Sequence, residues 1–310
     1  MATLSISLFG KFSARTGEQI LDGFDSCKVQ ELFSYLLLHR EHSHPRETLA
    51  GLLWGDNSTT QSKKYLRQTL WHLQIALSAH EAQCEHRVLL IEPGWVQINT
   101  RADLLLDVAA FELGFASVQK KPGRELDDDS ARMMREAVSL YQGDLLEGWY
   151  QDWCLYKREQ LQNIYLTMLD KLMGYCEAHH QYEEGLDYGA RILRFDRASE
   201  RTHRRLMRLQ YLAEDRTAAL RQYERCVAAL KEELGVRPAK RTVMLYEQIS
   251  ADHLEEALQP TTENGFAAAP TSMLPEVLGR LRQLQEALAD MQRQVRQSIQ
   301  STELALKSRR

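Results

Sequence analysis

Hydrophobic and polar positions divide the first hundred residues into one strand, three helices and a hairpin. In LSISLFG, Leu4, Ile6 and Leu8 alternate with polar residues, which predicts a half-buried strand. Apolar residues at steps of three and four then predict three helices. These helices cover residues 26–39, 46–54 and 60–78. RVLLIEPGWVQIN predicts two strands around the Pro93-Gly94 turn. Three helices followed by a hairpin are the layout of a winged helix.

A second pattern, with a period of 34 residues, occupies the middle of the chain. Sliding the sequence by this interval places Leu172 on Leu206 and brings QYEEGLDYGARIL onto DRTAALRQYERCV. A 34-residue period of two helices is the tetratricopeptide signature, in which each helix pair buries its apolar face by stacking on a neighbour. Helical patterns at 130–140 and 153–177 precede the repeat, and YQGDLLEGWY separates them.

The stretch AALRQYERCVAALKEELGVRP predicts the second helix of the last repeat and the point where that helix ends. Apolar side chains at helical steps place five residues on one face. They are Leu220, Tyr223, Val227, Leu230 and Leu234. Gly235 and Pro238 then end the helix, because glycine tolerates a left-handed cap and proline disfavours helix in the residue before it.

The last fifty residues differ from both patterns. QPTTENGFAAAPTS, at 259–272, has little to bury and predicts a flexible linker. After it, apolar residues alternate steps of three and four, which favours a helix that pairs with another chain. The predicted seam consists of Leu274, Val277, Leu281, Leu284, Leu288, Met291 and Val295. The alternative is a single amphipathic helix docked on its own domain, and the number of strands in a coil stays open.

Composition and charge exclude several classes of function. The chain has 310 residues, of which 44% are hydrophobic and 26% charged, as in ordinary globular proteins. It has no apolar run of about 18 residues and no signal-peptide pattern at its start, so we expect a cytoplasmic protein without a membrane partner. Five scattered cysteines favour reduced packing residues over a disulfide framework or a zinc site. No catalytic or nucleotide-binding motif occurs, so neither enzymatic activity nor a cofactor is expected.

Several long motifs carry a family resemblance. KVQELFSYLLLHREHSHPRETLAGLLWG, YLRQTLWHLQIAL and EPGWVQIN resemble the OmpR-type winged helix of bacterial regulators. LYQGDLLEG and YERCVAALKEELGVRP look like the bacterial transcriptional activation domain. Together they resemble SARP-type activators over roughly residues 1–250. The resemblance implies a DNA-binding head joined to a tetratricopeptide-like domain that contacts partners such as RNA polymerase. Asp196-Arg197 departs from the usual Asp-Pro between repeats, a change that costs a rigid turn but not the fold.

Pattern and resemblance together predict a mainly α-helical protein of four parts with small β elements near its start. The parts are a winged-helix DNA-binding domain at 1–107, a tetratricopeptide-like activation domain at 108–250, a flexible linker at 251–272 and a coiled-coil oligomerisation helix at 273–310.

The helix at 60–78 is the one expected to read DNA. Its core side carries Leu66, Leu70, Leu73 and Leu77. The opposite side and its margins carry the candidate DNA-binding residues, which are Lys63, Lys64, Arg67, Gln68, Trp71 and His72. Lysine and arginine supply phosphate contacts, a glutamine can bond an adenine edge, and tryptophan can contact thymine methyl groups. A protonated histidine can donate to a phosphate.

Other properties of this helix favour a different class of function. An outward tryptophan together with Ile75 is also typical of a protein-facing surface. Residues 1–100 hold nine Lys/Arg and ten Asp/Glu, so we expect weak, salt-sensitive binding unless several heads bind together. The sequence therefore favours a sequence-specific DNA-binding regulator, an activator by resemblance. The alternative is a non-DNA-binding oligomeric scaffold derived from such a regulator.

Three further groups of residues have both a chemical and a structural interpretation. Arg201, Arg204, Arg205 and Arg208 share a helix face that can bind the phosphate of DNA or of a small nucleotide effector, or that can be balanced by acids elsewhere. His39, His42 and His44 of HREHSH are candidate ligands for zinc or another divalent ion, but no carboxylate or cysteine pattern completes a tetrahedral set, so a polar turn is the favoured interpretation. DDDS at 127–130 resembles a carboxylate cluster for a metal, but its place directly before a helix favours capping of that helix.

Overall fold

The computed structural model describes residues 3–119 and 121–253. The predicted coiled coil and most of the predicted linker lie outside these residues. Within them the chain is mainly helical, and its short strands all lie before residue 107. For the described residues the predicted fold class is therefore confirmed.

The first part of the chain, residues 3–106, is called the head here. Its elements follow the predicted order, with four strands that the sequence pattern did not indicate. They are β1 (Leu4–Ser7), β2 (Ser13–Thr16), β3 (Gln19–Ile20), α1 (Cys27–Leu38), β4 (His44–Pro45), α2 (Arg46–Trp54), α3 (Thr59–Glu81), β5 (Leu89–Ile91), β6 (Trp95–Ile98) and β7 (Leu104–Leu106).

The strands of the head form two small sheets. In the first, with order β3-β2-β1-β7, β1 is antiparallel to β2 and parallel to β7, so that Leu4 lies opposite Leu104. In the second, with order β4-β6-β5, the hairpin of β5 and β6 turns at Pro93-Gly94 as predicted. This hairpin is the wing of the head.

The core of the head is built as the alternation and helical steps predicted. Leu4, Ile6 and Leu8 are buried on one side of the first strand. The four leucines predicted for the core side of α3 are all buried as well. Burying a leucine contributes about 1.5–3 kcal/mol, so this side of α3 fixes which side faces outward.

The second part of the chain consists of helices. They are α4 (Asp107–Val118), α5 (Asp128–Leu140), α6 (Asp152–Ala178), α7 (Tyr182–Phe195), α8 (Glu200–Leu212), α9 (Arg216–Leu234) and α10 (Lys240–Ala251), with a 3-10 turn at Gly123–Glu125. From α6 to α9 each helix packs on the next one along the chain. α9 begins 34 residues after α7, which matches the period read from the sequence.

The buried face of α9 differs from the predicted one. Leu230 is buried, but Leu234 at the end of the predicted stripe is 60% exposed. The face that packs on α8 instead centres on small and polar residues, which are Ala219, Gln222, Cys226 and Ala229. Gln222 can be buried because it is hydrogen-bonded to His203, a partner that periodicity does not reveal. The predicted end of the helix is confirmed, since Gly235 has a left-handed φ of 67°.

The head is hydrogen-bonded to the loop 141–150, which contains most of the LYQGDLLEG motif. The Gly10 N–H donates to the Asp144 carbonyl, and the Leu146 N–H donates to the Leu8 carbonyl, both at 2.8 Å. The Arg158 guanidinium in turn donates to the carbonyls of Leu145, Leu146 and Trp149 at 2.8–3.0 Å. These bonds satisfy backbone groups of an irregular loop and join it to both parts of the chain.

Asp107 completes this junction at the first residue of α4. Its carboxylate accepts from the Leu8 and Phe9 N–H groups at 2.8 and 2.9 Å and from the Val108 N–H at 2.7 Å. Burial raises the pKa of the carboxyl, and the three backbone bonds oppose that rise. Buried apolar residues of the head and of helices α4–α8 belong to one hydrophobic cluster.

Candidate nucleic-acid interface

α2, a short turn and α3 position the candidate DNA-reading helix. Ser58 caps the start of α3 by accepting a bond from the Gln61 N–H at 3.4 Å. The buried Ser62 hydroxyl donates to the carbonyl of Trp54, the last residue of α2, at 2.9 Å. Lys28 of α1 donates to the Leu53 carbonyl at 2.8 Å. These bonds fix the angle at which α3 leaves the turn.

The predicted DNA-binding side chains all lie on the exposed side of α3. Lys63, Lys64, Arg67, Gln68, Trp71 and His72 are exposed. The Trp71 side chain is 57% exposed and its ring contacts the His72 ring at 4.9 Å between centroids. Ile75, one turn further, is 50% exposed. Within the described residues this face is therefore open to a ligand.

The cationic side chains of this face are not equally available for phosphate contacts. The Lys63 ammonium donates to the Glu47 carboxylate at 2.6 Å, and this bond lowers the pKa of Glu47. Lys64 and Arg67 have no carboxylate partner among the described residues. These two side chains can therefore neutralise phosphates without first losing an ion pair.

A groove of about 410 Å³ lies between the start of α2, the first half of α3 and the wing. Its cationic lining residues are Arg46, Lys63 and Arg67, and its one acidic lining residue among those described is Glu47. Trp95, at the start of β6 and 47% exposed, forms the wing side. Arg46 could not be assigned to this surface from the sequence, because its position depends on how the wing folds back against α2. The Arg46 N–H donates to the Gly94 carbonyl at 3.0 Å.

Comparison with protein families matches residues 106–250 to the bacterial transcriptional activator domain. Residues 106–250 are called the activator domain here. The structure of Mycobacterium tuberculosis EmbR in complex with a low-affinity phosphopeptide matches with a TM-score of 0.64 at 16% identity, covering 81% of this chain and 66% of the EmbR chain. At that identity the likeness shows the fold. The resemblance to SARP-type activators is thus confirmed, and a search of curated proteins gave no match.

The arginine face predicted to bind phosphate lies on α8 of the activator domain. Arg201 and Arg205 both contact the Asp170 carboxylate, at 2.8 and 2.7 Å. Arg208 contacts Glu177 at 2.8 Å, and Arg204 lies 3.6 Å from the Glu200 carboxylate. A phosphate would compete with these acids, so the geometry favours the interpretation of a face balanced by acids from α6 and α8.

The other polar groups singled out from the sequence have structural roles. His44 and His39 are joined through a 3.1 Å bond between the His44 imidazole and the His39 carbonyl. Asp127 caps α5 by accepting from the Ser130 N–H at 2.8 Å, as predicted. Among the described residues no group of three or more potential ligands is placed to hold a metal ion. No described helix is long and apolar enough to cross a membrane.

Proposed function

We propose that this chain is a transcriptional regulator that binds double-stranded DNA, with α3 in the major groove and the wing beside the minor groove. The observation that supports this proposal is the exposed face of α3, where Lys64 and Arg67 have no carboxylate partner among the described residues and Arg67 lines the groove beside the wing. The activator domain supports regulation of transcription as the biological context. The cytoplasm is the compartment that such a function requires.

The residues of the face divide into two roles. Lys64, Arg67 and Arg46 of the groove contact phosphates and set the register of the head on the duplex. Gln68 bonds the N6/N7 edge of an adenine, and Trp71 contacts a thymine methyl group. Lys63 contributes less, because its ion pair with Glu47 must break first.

One head alone binds a duplex weakly, because the described part of its surface has few unpaired cationic side chains and salt screens each phosphate contact. The regulator therefore acts with several heads together, joined through the seam that begins at Leu274. Linked heads raise their effective concentration at neighbouring half-sites. The activator domain contacts RNA polymerase bound at the same promoter.

Selection of duplexes from a randomised pool on the full chain, followed by fluorescence anisotropy, tests the proposal. We expect the Lys64→Ala/Arg67→Ala variant to bind the selected duplex at least about tenfold more weakly. The slope of log affinity against log salt should fall by about 0.9 for each phosphate that the variant no longer neutralises. Arg15→Ala is the matched control, because Arg15 is exposed on β2 in the other sheet.

The same measurement separates the regulator from the scaffold alternative. No duplex enriched at low salt, or equal affinity for the double variant and the Arg15 control, would contradict DNA binding. Such a result would favour a head whose exposed Trp71 and Ile75 contact proteins.

A further inference from the structure

A groove of about 680 Å³ is formed by α7, α8 and α9 of the activator domain. This volume lies in the range of ligand sites, about 300–1,000 Å³. Leucine and alanine side chains form its apolar surface, and Arg194, Arg197 and Arg225 supply its charge. No described carboxylate lines it.

A chain of hydrogen bonds holds one of the arginines in place. His203 donates from Nε2 to the Arg197 carbonyl at 2.9 Å and accepts at Nδ1 from the Gln222 amide at 2.7 Å. The Gln222 carbonyl oxygen accepts from the Arg225 guanidinium at 3.4 Å. Both His203 and Gln222 are only 3% exposed, so this support for Arg225 is built into the packing of α8 on α9.

The arginines of the groove differ in how far they are already neutralised. Arg197 lies 3.2 Å from Glu232 and 3.7 Å from Glu233, so its charge is balanced. Arg194 and Arg225 have no carboxylate partner among the described residues. Two uncompensated cations beside an apolar surface favour a ligand that is both anionic and apolar.

A buried acceptor indicates what else the ligand must supply. The side-chain oxygen of Gln210, which lines the groove, is buried and has no hydrogen-bond partner within the described chain. An unpaired buried acceptor is unfavourable, and an N–H donor from a ligand would satisfy it. A peptide combines such a donor with carboxylate and apolar side chains, whereas an inorganic anion does not.

We propose that this groove binds an acidic peptide segment of a partner protein. An apolar side chain of the segment packs on Leu193 and Leu206, a carboxylate contacts Arg194 and Arg225, and a backbone N–H donates to Gln210. The proposal specifies the partner contact of the activator domain, which is part of the proposed function. It does not depend on whether the head binds DNA.

The test uses a phage-displayed library of random 12-residue peptides selected on the full chain. We expect the enriched sequences to combine Asp or Glu with a large apolar residue. Synthetic fluorescein-labelled copies of these peptides are then titrated by anisotropy. They should bind the Arg194→Glu/Arg225→Glu variant at least about tenfold more weakly than the wild-type chain, because the variant replaces attractive charged hydrogen bonds by repulsion between carboxylates. Replacing the acids of the peptide by lysine should weaken its binding to the wild-type chain similarly.

Arg132→Glu provides the matched control, because Arg132 is exposed on α5 and outside the groove. Far-ultraviolet circular dichroism and retention on the selected duplex should be unchanged in the double variant, so a loss of peptide binding is separable from a failure of the head. Enrichment of sequences without acids, or equal binding by the double variant and the control, would overturn the proposal. Binding of nucleotides rather than peptides at this groove would overturn it as well.

Discussion

His203 is a buried, hydrogen-bonded residue that lines the proposed peptide site. Its imidazole accepts from Gln222 at Nδ1, which requires the neutral form. Desolvation by burial lowers the pKa of His203, outweighing the Arg197 carbonyl and nearby acids, which raise it. The neutral tautomer thereby keeps the Gln222 carbonyl directed at Arg225.

This shift predicts a pH dependence of stability. A histidine whose pKa is lowered on folding binds its proton more readily in the unfolded chain. Its contribution to the free energy of unfolding is therefore complete above the unfolded pKa of about 6.5 and is lost as the pH falls from there through the lower folded pKa. We expect the free energy of unfolding of the wild-type chain to fall between pH 7.5 and 5.5, measured by urea denaturation. His203→Gln should reduce that slope by up to about 1.4 kcal/mol per pH unit. Equal slopes would show that His203 does not carry this dependence.

At the scale of elements, two glycines let the 3-10 turn lie directly against α6. A Cβ on Gly123 would lie 2.2 Å from the Lys171 carbonyl oxygen, and a Cβ on Gly174 would lie 3.3 Å from the Gly123 Cα. The atoms nearest to the Cβ position of Gly123 belong to the backbone of Lys171 and not to a flexible side chain. The turn or α6 must therefore move to accept a methyl group.

We expect Gly123→Ala to lower the free energy of unfolding by about 1–3 kcal/mol, measured by urea denaturation. Gly51 of α2 is the matched control, since no heavy atom lies within 4 Å of the position that a Cβ would take there and alanine favours a helix by about 0.5–1 kcal/mol. Gly51→Ala should therefore leave stability unchanged or raise it. A Gly123→Ala variant as stable as the wild type would show that the turn can move at little cost.

Elements with strong local patterns could be predicted, and contacts between distant segments could not. The leucines of α3 repeat at helical steps, so both its core side and its exposed face followed from the sequence. The parallel pairing of β7 with β1 joins residues about a hundred positions apart, and nothing in LLL indicates it. The acid partners of Arg201 and Arg205 lie on α6, more than 30 residues earlier. The same limit hid Arg46, whose N–H donates to Gly94 of the wing, and the position of Arg225 in a groove that α7 and α8 also line.

At the scale of the whole molecule, the loop 141–150 is hydrogen-bonded to both the head and the activator domain. Backbone bonds join Leu8 and Gly10 of the head to this loop, and the Arg158 side chain of α6 donates to carbonyls of the same loop. A partner held in the groove of α7–α9 would therefore be placed at a defined position relative to the duplex. Such placement reduces the entropy lost when head and partner bind one promoter together.

In the proposed function, the predicted seam determines how many heads act together. Leu281 and Leu288 occupy equivalent seam positions one heptad apart, so Leu281→Glu/Leu288→Glu should abolish pairing between chains. We expect the full-length variant to sediment as a monomer and to lose about 10²–10⁴-fold affinity for duplexes with two adjacent half-sites, while its affinity for a single half-site stays unchanged. Gln283→Glu, off the seam, adds a negative charge and should behave as the wild type in analytical ultracentrifugation and anisotropy. If both variants sediment like the wild type, self-association does not depend on this seam, and a helix docked on its own domain becomes the better interpretation.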